Sequence, residues 1–383
     1  MKVISDIKSL QSKTVIVRVD YNVPIADGSV QDNTRILDTL PTLEFLIKRK
    51  CKIILLSHLG RPNGYDEKLS LKVLTPLLSQ VTKTNVILAN LEDLYEKVEQ
   101  ISSGEIVLME NIRFYPEEEK NDIEFAQRLS YPADLYVNEA FSCSHRQHAS
   151  ISALSSVLPA LAGIKLYHEV KILQSIFEKS CGPIAAVVGG SKISTKLKLI
   201  KSLSKKVQYL IVGGALANNI LQARGLNIGT SLVEHEIHEA FHECENIILP
   251  QDVVTSSSAD ASEIHTCDVR YVPQTESIFD IGPASIMKIK NILQECKTVI
   301  WNGPLGFFEK DNFGKATQEV ANEIVHLTQR QKIRSIIGGG DSIFAINKFG
   351  INKNNFTHVS TAGGAFLEWL ESQGLENLKV LER

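Results

Sequence analysis

The apolar run Ile333–Ile337 is followed by Gly338, Gly339, Gly340, Asp341 and Ser342. A strand that turns through glycines into a helix start exposes backbone N–H groups, and the helix dipole favours an anion there. A carboxylate beside that anion calls for a bridging metal, because alone it would repel phosphate. The stretch therefore reads as a Mg-nucleotide phosphate site with Asp341 as metal ligand. Glycine turns after strands are common in α/β proteins, so the other strand ends decide the matter. After 184–188 come Gly189, Gly190, Ser191 and Lys192, with Lys196 one helical turn on; after 207–212 come Gly213 and Gly214; after 298–301 come Asn302, Gly303, Pro304 and Gly306. Lys192 and Lys196, at i,i+4 on one helix face, repel each other unless an anion lies between them. No G-x-x-x-x-G-K-[ST] occurs, which excludes a P-loop enzyme.

The first half of the chain ends its apolar runs differently. After 14–19 come Asp20, Tyr21 and Asn22; after 52–57 come His58 and Arg61; after 105–109 come Glu110, Asn111 and Arg113; after 134–138 come Glu139, His145, Arg146 and His148. Arg35 opens the first helix. Ligands of open α/β sheets bind beyond the carboxyl ends of the strands, and arginine's fork suits phosphate and carboxylate. Four arginines and a histidine at one sheet edge mark a site for a small, highly anionic molecule. Phosphoryl transfer between that molecule and a Mg-nucleotide is the economical reading, since it needs positioning and fixed charge more than acid–base chemistry.

The elements that must position these residues follow from periodicity. Strands at 14–19, 52–57, 85–89, 105–109 and 134–138 alternate with helices expected over 34–50 (Asn33 as cap, Pro41 as kink), 70–82 and 117–129. An amphipathic helix, 165–180, is stopped by Cys181-Gly182-Pro183. A second series has strands at 184–188, 207–212, 298–301 and 333–337, with helices at 191–203, 215–224, 284–295, 313–329, 342–348 and 364–372. The stretch 226–282 reads as strand-poor. This βα alternation predicts an α/β protein with two Rossmann-like three-layer domains, each on a parallel sheet, joined by a long inter-domain helix and hinge.

A length of 383 residues fits two domains, and 43% hydrophobic with 22% charged residues suffices for full cores. A net charge of −3 gives no general attraction to nucleic acid. The six cysteines (Cys51, Cys143, Cys181, Cys244, Cys267, Cys296) form no C-x-x-C pair, which argues against a zinc site and for a reducing, cytoplasmic compartment. No signal-peptide core or membrane-length apolar run is present.

These residues, in order, resemble the phosphoglycerate kinase family over nearly the whole chain. The matching segments are RVDYNVP (18–24), DNTRI (32–36), LSHLGRP (56–62), ENIRFYPEEEKND (110–122), YVNEAF…HR (136–146), GGSKISTK (189–196), GGALA (213–217), ILPQDVV (248–254), DIGP (280–283), WNGPLGFFE (301–309), GGGDS (338–342) and STAGGAFLE (360–368). The SKxSTK form looks most like proteobacterial members. The resemblance implies a glycolytic kinase that moves the 1-phosphate of 1,3-bisphosphoglycerate to MgADP, giving 3-phosphoglycerate and MgATP. In-line transfer in a closed inter-domain cleft and a monomeric state are implied with it.

It also implies roles. Asp20, Tyr21, Asn22, Leu59 and Gly60 line the glycerate, with Arg35 at its reacting carboxyl. His58, Arg61, Arg113 and Arg146 grip the non-reacting phosphate. Lys192 follows the phosphoryl in flight, and Gly363 and Gly364 point N–H groups at it. Gly190, Lys196, Asn302, Pro304, Gly338, Gly339, Gly340, Asp341 and Ser342 surround the nucleotide phosphates, with Glu309 at the ribose and Asp341 on Mg2+. The implied domains are 1–164 plus 370–383 for the glycerate, 165–182 as the joining helix, and 183–369 for the nucleotide.

The chain departs from the family pattern at several positions. Glu139 stands for Asp, Ser142-Cys143-Ser144 for GTA, Thr230 for Lys, Ala316 for Gly, and Leu375-Glu376-Asn377 for an LPG-type turn. Ala362 replaces a glycine; if it must take a positive φ, its Cβ costs roughly 1 kcal/mol. Ala362 and the SCS segment support a competing reading, a catalytically weak nucleotide-binding protein on the same fold. A cysteine-nucleophile hydrolase built on Cys143, His145 and His148 is a third.

Overall fold

TVIVR and KIILL are almost wholly buried, the condition under which strands pair in parallel beneath helices on both faces. The computed structural model describes residues 1–178, 182–192, 194–234 and 246–382. TVIVR is β1 (Thr14–Arg18). A short hairpin, β2 (Ile25–Ala26) and β3 (Ser29–Val30), follows, then β4 (Lys52–Leu56), β5 (Val86–Ala89), β6 (Ile106–Met109), β7 (Leu135–Asn138) and β8 (Ala160–Ala162). All but the hairpin form a six-stranded parallel sheet in the order β5-β6-β4-β1-β7-β8. Alternate residues supply opposite faces: Val15, Val17, Ile53 and Leu55 belong to one core cluster, Ile16, Ile54 and Val107 to the other. Strand order reverses around β1, which puts a ligand crevice beyond β4, β1 and β7.

The helices of this part are α1 (Thr34–Leu37), α2 (Leu40–Lys48), α3 (Thr75–Thr82), α4 (Leu94–Gln100), α5 (Ile123–Ser130), α6 (Leu154–Val157) and α7 (Ile164–Glu178). The chain divides into two compact units, Met1–Lys171 with Gly374–Arg383, and Ile172–Gln373. The C-terminal segment is tied to the first unit by Lys2 N–H donating to the Leu381 carbonyl at 2.7 Å and Asn377 Nδ2 donating to the Ser144 and Arg146 carbonyls, both at 2.9 Å.

The second unit carries β9 (Ile184–Val188), α8 (Leu197–Ser204), β10 (Tyr209–Val212), α9 (Gly214–Ala223), β11 (Ile247–Ile248), β12 (Asp252–Ser256), β13 (His265–Asp268), β14 (Ser277–Ile281), α10 (Pro283–Glu295), β15 (Thr298–Asn302), α11 (Lys315–Gln329), β16 (Arg334–Gly338), α12 (Gly340–Lys348), β17 (His358–Ser360) and α13 (Gly364–Ser372). The last helix, α14 (Glu376–Lys379), lies in the C-terminal segment. A parallel sheet runs β11-β10-β9-β15-β16-β17, and its order reverses between β9 and β15. Ala185, Val187, Val299, Trp301 and Ile337 anchor its core.

Several expectations need correction. The helix expected over 34–50 is two, because Pro41 sits in the first turn of α2, where its missing N–H is harmless. The Asn33 side chain makes no cap bond. The helix expected from 70 begins as a 3-10 turn, Leu71–Leu74, capped by Ser70, and becomes α3 at Thr75. The one expected from 117 starts at Ile123, with Asp122 accepting from Phe125 N–H. The one expected from 191 starts at Leu197. The region 226–282 holds an antiparallel sheet, β13-β12-β14, and is not strand-poor. Cys181 and Cys244, and with Cys181 part of the expected stop of α7, lie outside the described residues.

Candidate active site

In the first unit the residues after β1, β4 and β7 meet. Arg35 Nη1 donates to Asp20 Oδ2 at 2.7 Å and to the Asn22 carbonyl at 3.3 Å. Ser142 Oγ donates to the same Asp20 oxygen. Asn22 Oδ1 accepts the Gly60 N–H at 2.9 Å, pinning the two loops together. Gly60 takes φ +63°, and Arg113 Nη1 donates to its carbonyl at 2.7 Å. Arg146 Nη1 is buried without a hydrogen-bond partner. Arg61 is exposed at the rim. Tyr21 and Leu59 depart from their expected roles at the side-chain level. The Tyr21 side chain is fully buried, with its hydroxyl 2.8 Å from Thr39 Oγ1, and Leu59 is buried in the core.

Beneath this layer lies Arg18, which sequence reasoning missed. It closes the apolar β1 as a fully buried cation. Its Nε donates to Ser150 Oγ at 2.8 Å, and Ser150 in turn donates from N and Oγ to the buried Glu118 carboxylate at 2.8 and 2.7 Å. His148 Nδ1 lies 3.6 Å from Glu118. Arg18 Nη2 is 3.3 Å from His58 Nδ1. Burial, then Arg18, Arg113, Arg146 and Arg35, hold the His58 pKa far below the imidazole range, so the ring is neutral. Burial and Arg146 likewise depress Arg113. The signal for Arg18 was present in the sequence: a lone charge ending an otherwise apolar run.

Donor atoms of Asp20, His58 and Cys143 lie within 4.8 Å of one another, a possible metal triad. Guanidinium groups already occupy the first two, Arg35 on Asp20 and Arg18 on His58, which argues against a metal at this cluster. Cys143 is buried and its thiol is pushed up by burial and by Asp20, which contradicts the cysteine-nucleophile reading.

In the second unit a cavity of about 530 Å³ opens beyond β9 and β15, within the usual range for a small-molecule site. Gly190, Pro304, Glu309 and Asp341 line it, as does the strand-end Gly214, with Asn218, Phe279 and Asp280 among the residues sequence reasoning did not place there. Glycine is required where backbones touch: a Cβ on Gly189 would come 1.8 Å from the Pro304 carbonyl oxygen, and Gly190 has φ +116°. Asp280 is buried; burial pushes its carboxyl up to about 7 against N–H donors that include Ala316 and Ile281. It packs under Gly306, where a Cβ would lie 2.1 Å from its Oδ1.

Lys196 Nζ donates to the Gly189 carbonyl at 2.5 Å and lies 3.4 Å from that of Asn302. Burial pulls its pKa down to about 8, partly opposed by Asp341. Because α8 begins at Leu197, Lys196 is its N-cap residue and Lys192 lies ahead of the helix, exposed; the expected i,i+4 helical pair does not form. Asn302 Nδ2 donates to the Gly338 carbonyl at 2.7 Å while its buried Oδ1 is unpartnered. Ser342 Oγ accepts the Gly303 N–H at 2.6 Å and donates to the Gly338 carbonyl at 3.0 Å, so its buried hydroxyl ties the two loops together. Gly338 is needed for packing, since a Cβ would lie 2.3 Å from Phe366. Gly339 (φ +100°) caps α12, and Gly340 and Asp341 open it, exposed. Gly363 (φ +51°) caps α13, which Gly364 opens; neither they nor Lys192 lie on the cavity wall. Ala362 is buried and is not among the residues with positive φ, so the expected strain is absent.

The family model described as Phosphoglycerate kinase matches residues 4–373. A Phosphoglycerate kinase of Wolbachia pipientis wMel is 43% identical, with 98% of this chain and 97% of that protein covered. One of Novosphingobium aromaticivorans is 42% identical, with 100% and 99% covered. The structure of phosphoglycerate kinase from Coxiella burnetii superposes with a TM-score of 0.90 at 36% identity, covering 99% of this chain and 98% of that one. Likeness of this depth, in sequence and fold alike, leaves one conclusion: the chain belongs to the phosphoglycerate kinase family of phosphotransferases.

Proposed function

We propose that the protein catalyses reversible transfer of the 1-phosphate of 1,3-bisphosphoglycerate to MgADP, giving 3-phosphoglycerate and MgATP. One observation carries this reading. Arg146 keeps a buried, unpartnered Nη1 in a cluster where Arg18, Arg35 and Arg113 already depress His58. Such a surplus of buried positive charge suits a small polyanion.

In this reading His58, Arg61, Arg113 and Arg146 grip the non-reacting phosphate. Asp20 and Asn22 meet the glycerate, and Arg35 its reacting carboxyl. Lys196 and the N–H groups opening α12 hold nucleotide phosphates, Glu309 the ribose. Lys192 and the N–H groups of Gly363 and Gly364 meet the phosphoryl in flight. The leaving group is a carboxylate, so no strong general acid is needed; the equatorial oxygens need fixed positive charge. Asp341, an exposed hard-oxygen donor at the start of α12, fits Mg2+, an ion that takes one or two carboxylates and fills its shell with phosphate and water. When bound, that ion neutralises phosphate charge.

The proposal includes residues 1–164 and 370–383 as glycerate domain, 165–182 as connecting helix and 183–369 as nucleotide domain. In-line transfer in a closed cleft that excludes water belongs to it, as does a cytoplasmic monomer without nucleic-acid or membrane partners. Among the described residues no helix is long and apolar enough to cross a membrane. The test is a coupled assay with ATP and 3-phosphoglycerate: Mg-dependent turnover is expected, and its absence contradicts the reading.

A further inference from the structure

Glu309 lines the cavity of the second unit from the irregular stretch between β15 and the 3-10 turn Asp311–Phe313. A side chain on such a stretch meets a ligand in one place only if its backbone is held. Lys348, the last residue of α12, supplies the hold. Its Nζ donates to the Phe308 and Glu309 carbonyls, both at 2.9 Å, and pairs with Asp311 Oδ1 at 2.8 Å. An ammonium has three N–H donors, so all three are used. Two of the acceptors are main-chain oxygens, so the contact fixes backbone. A cation in the last turn of a helix is also favoured by the helix dipole.

Packing makes the same connection. Phe308 is fully buried and meets Phe344 edge-on at 5.4 Å between ring centroids and Phe349 at 6.3 Å. Phe344 stands one helical turn before Lys348, and Phe349 directly follows it. The stretch 308–311 is therefore docked on the C-terminal turn of α12. At the other end of that helix, beside Asp341, Ser342 Oγ accepts the Gly303 N–H at 2.6 Å. One helix thus fastens the stretch 303–311 at both its ends.

We propose that Lys348 is a positioning residue for nucleotide binding. By holding the Glu309 backbone on the last turn of α12, it sets the Glu309 carboxylate at a fixed place relative to Asp341 on the first turn, so that ribose and phosphates are met together. The inference rests on the reading that Glu309 meets the ribose. Lys348 is not among the residues lining the cavity, so its effect on binding passes through Glu309.

The experiment is calorimetric titration of wild type, Lys348→Met and Lys348→Arg with MgADP and with the Mg complex of 2′,3′-dideoxy-ADP. The analogue lacks the hydroxyls that a carboxylate accepts from. Wild type is expected to bind it about 10- to 100-fold more weakly than ADP, the size of a hydrogen bond to a charged group. Lys348→Met keeps the apolar stem and donates nothing. It is expected to weaken MgADP by about 5- to 30-fold and to leave the analogue within about twofold, because the contact it spoils is one the analogue already lacks. Lys348→Arg keeps the charge but not the three-way fit, and is expected to weaken MgADP alone, by less than Met does; it decides the matter if the Met variant does not fold. In either variant, equal weakening of both ligands, or unchanged binding of both, overturns the positioning role. A wild type that does not distinguish the two ligands overturns the ribose reading itself, so the two failures are distinct.

Discussion

The Arg18 guanidinium reaches within 3.3 Å of the His58 ring, Nη2 to Nδ1, with both side chains buried. Burial and the arginines around it keep His58 neutral, its pKa far below that of an unfolded-state histidine. The unfolded chain takes up a proton below pH about 6.5 while the native ring does not, so stability is full above that pH and falls as pH drops. The slope from this residue reaches at most about 1.4 kcal/mol per pH unit. NMR of the His58 ring is expected to show no titration between pH 5 and 8. A midpoint above pH 6 contradicts the assignment.

Lys196 is held at about pKa 8 mainly by burial against the carbonyls of Gly189 and Asn302. If it grips nucleotide phosphate, binding needs the charged form. MgADP affinity is then flat below pH 8 and weakens by up to about tenfold per pH unit above it. Lys196→Arg, which keeps its charge, flattens that dependence. Calorimetric titrations at pH 7 to 9.5 check both; a wild-type Kd independent of pH removes Lys196 from the phosphate site.

Glu139 stands at the start of α7, accepting from Thr42 Oγ1 at 2.6 Å and from the N–H groups of Lys165 and Leu166 at 2.9 and 3.1 Å. Gly163 makes room for it, since a Cβ there would lie 1.8 Å from its Oε2. Burial raises its carboxyl to about 7, against these donors. The native state thus keeps a proton that the unfolded chain loses near pH 4.5. The stability this group contributes is present below that pH and is lost as pH rises toward 7. Glu139→Gln is expected to remove this component, seen as a shallower pH dependence of the urea midpoint between pH 4.5 and 7. An unchanged slope counts against the raised pKa.

What the sequence made legible follows from burial. Strands such as IAAVV, buried along their whole length, stand out as apolar runs. The glycines and arginines then fall at strand ends, where an open sheet must bind. Helix starts were less legible: Ser194, Thr195 and Lys196 continue a helical pattern in sequence but form a turn before α8. The sheet over 252–281 stayed hidden because strands such as HTCD are half-exposed and polar, so no period stands out. Arg18 was missed for a different reason. A lone charge closing an apolar run marks it as unusual, but its partner Ser150 lies 132 residues along the chain, and no local pattern names that contact.

The most direct test of the central claim, phosphoryl transfer stabilised by fixed positive charge, is kcat of the wild type, Arg35→Ala and Lys192→Ala with saturating MgATP and 3-phosphoglycerate. Losses of more than about a hundredfold in each variant are predicted, the usual size for removing one transition-state donor. Wild-type turnover no faster than that of Lys192→Ala would contradict the account.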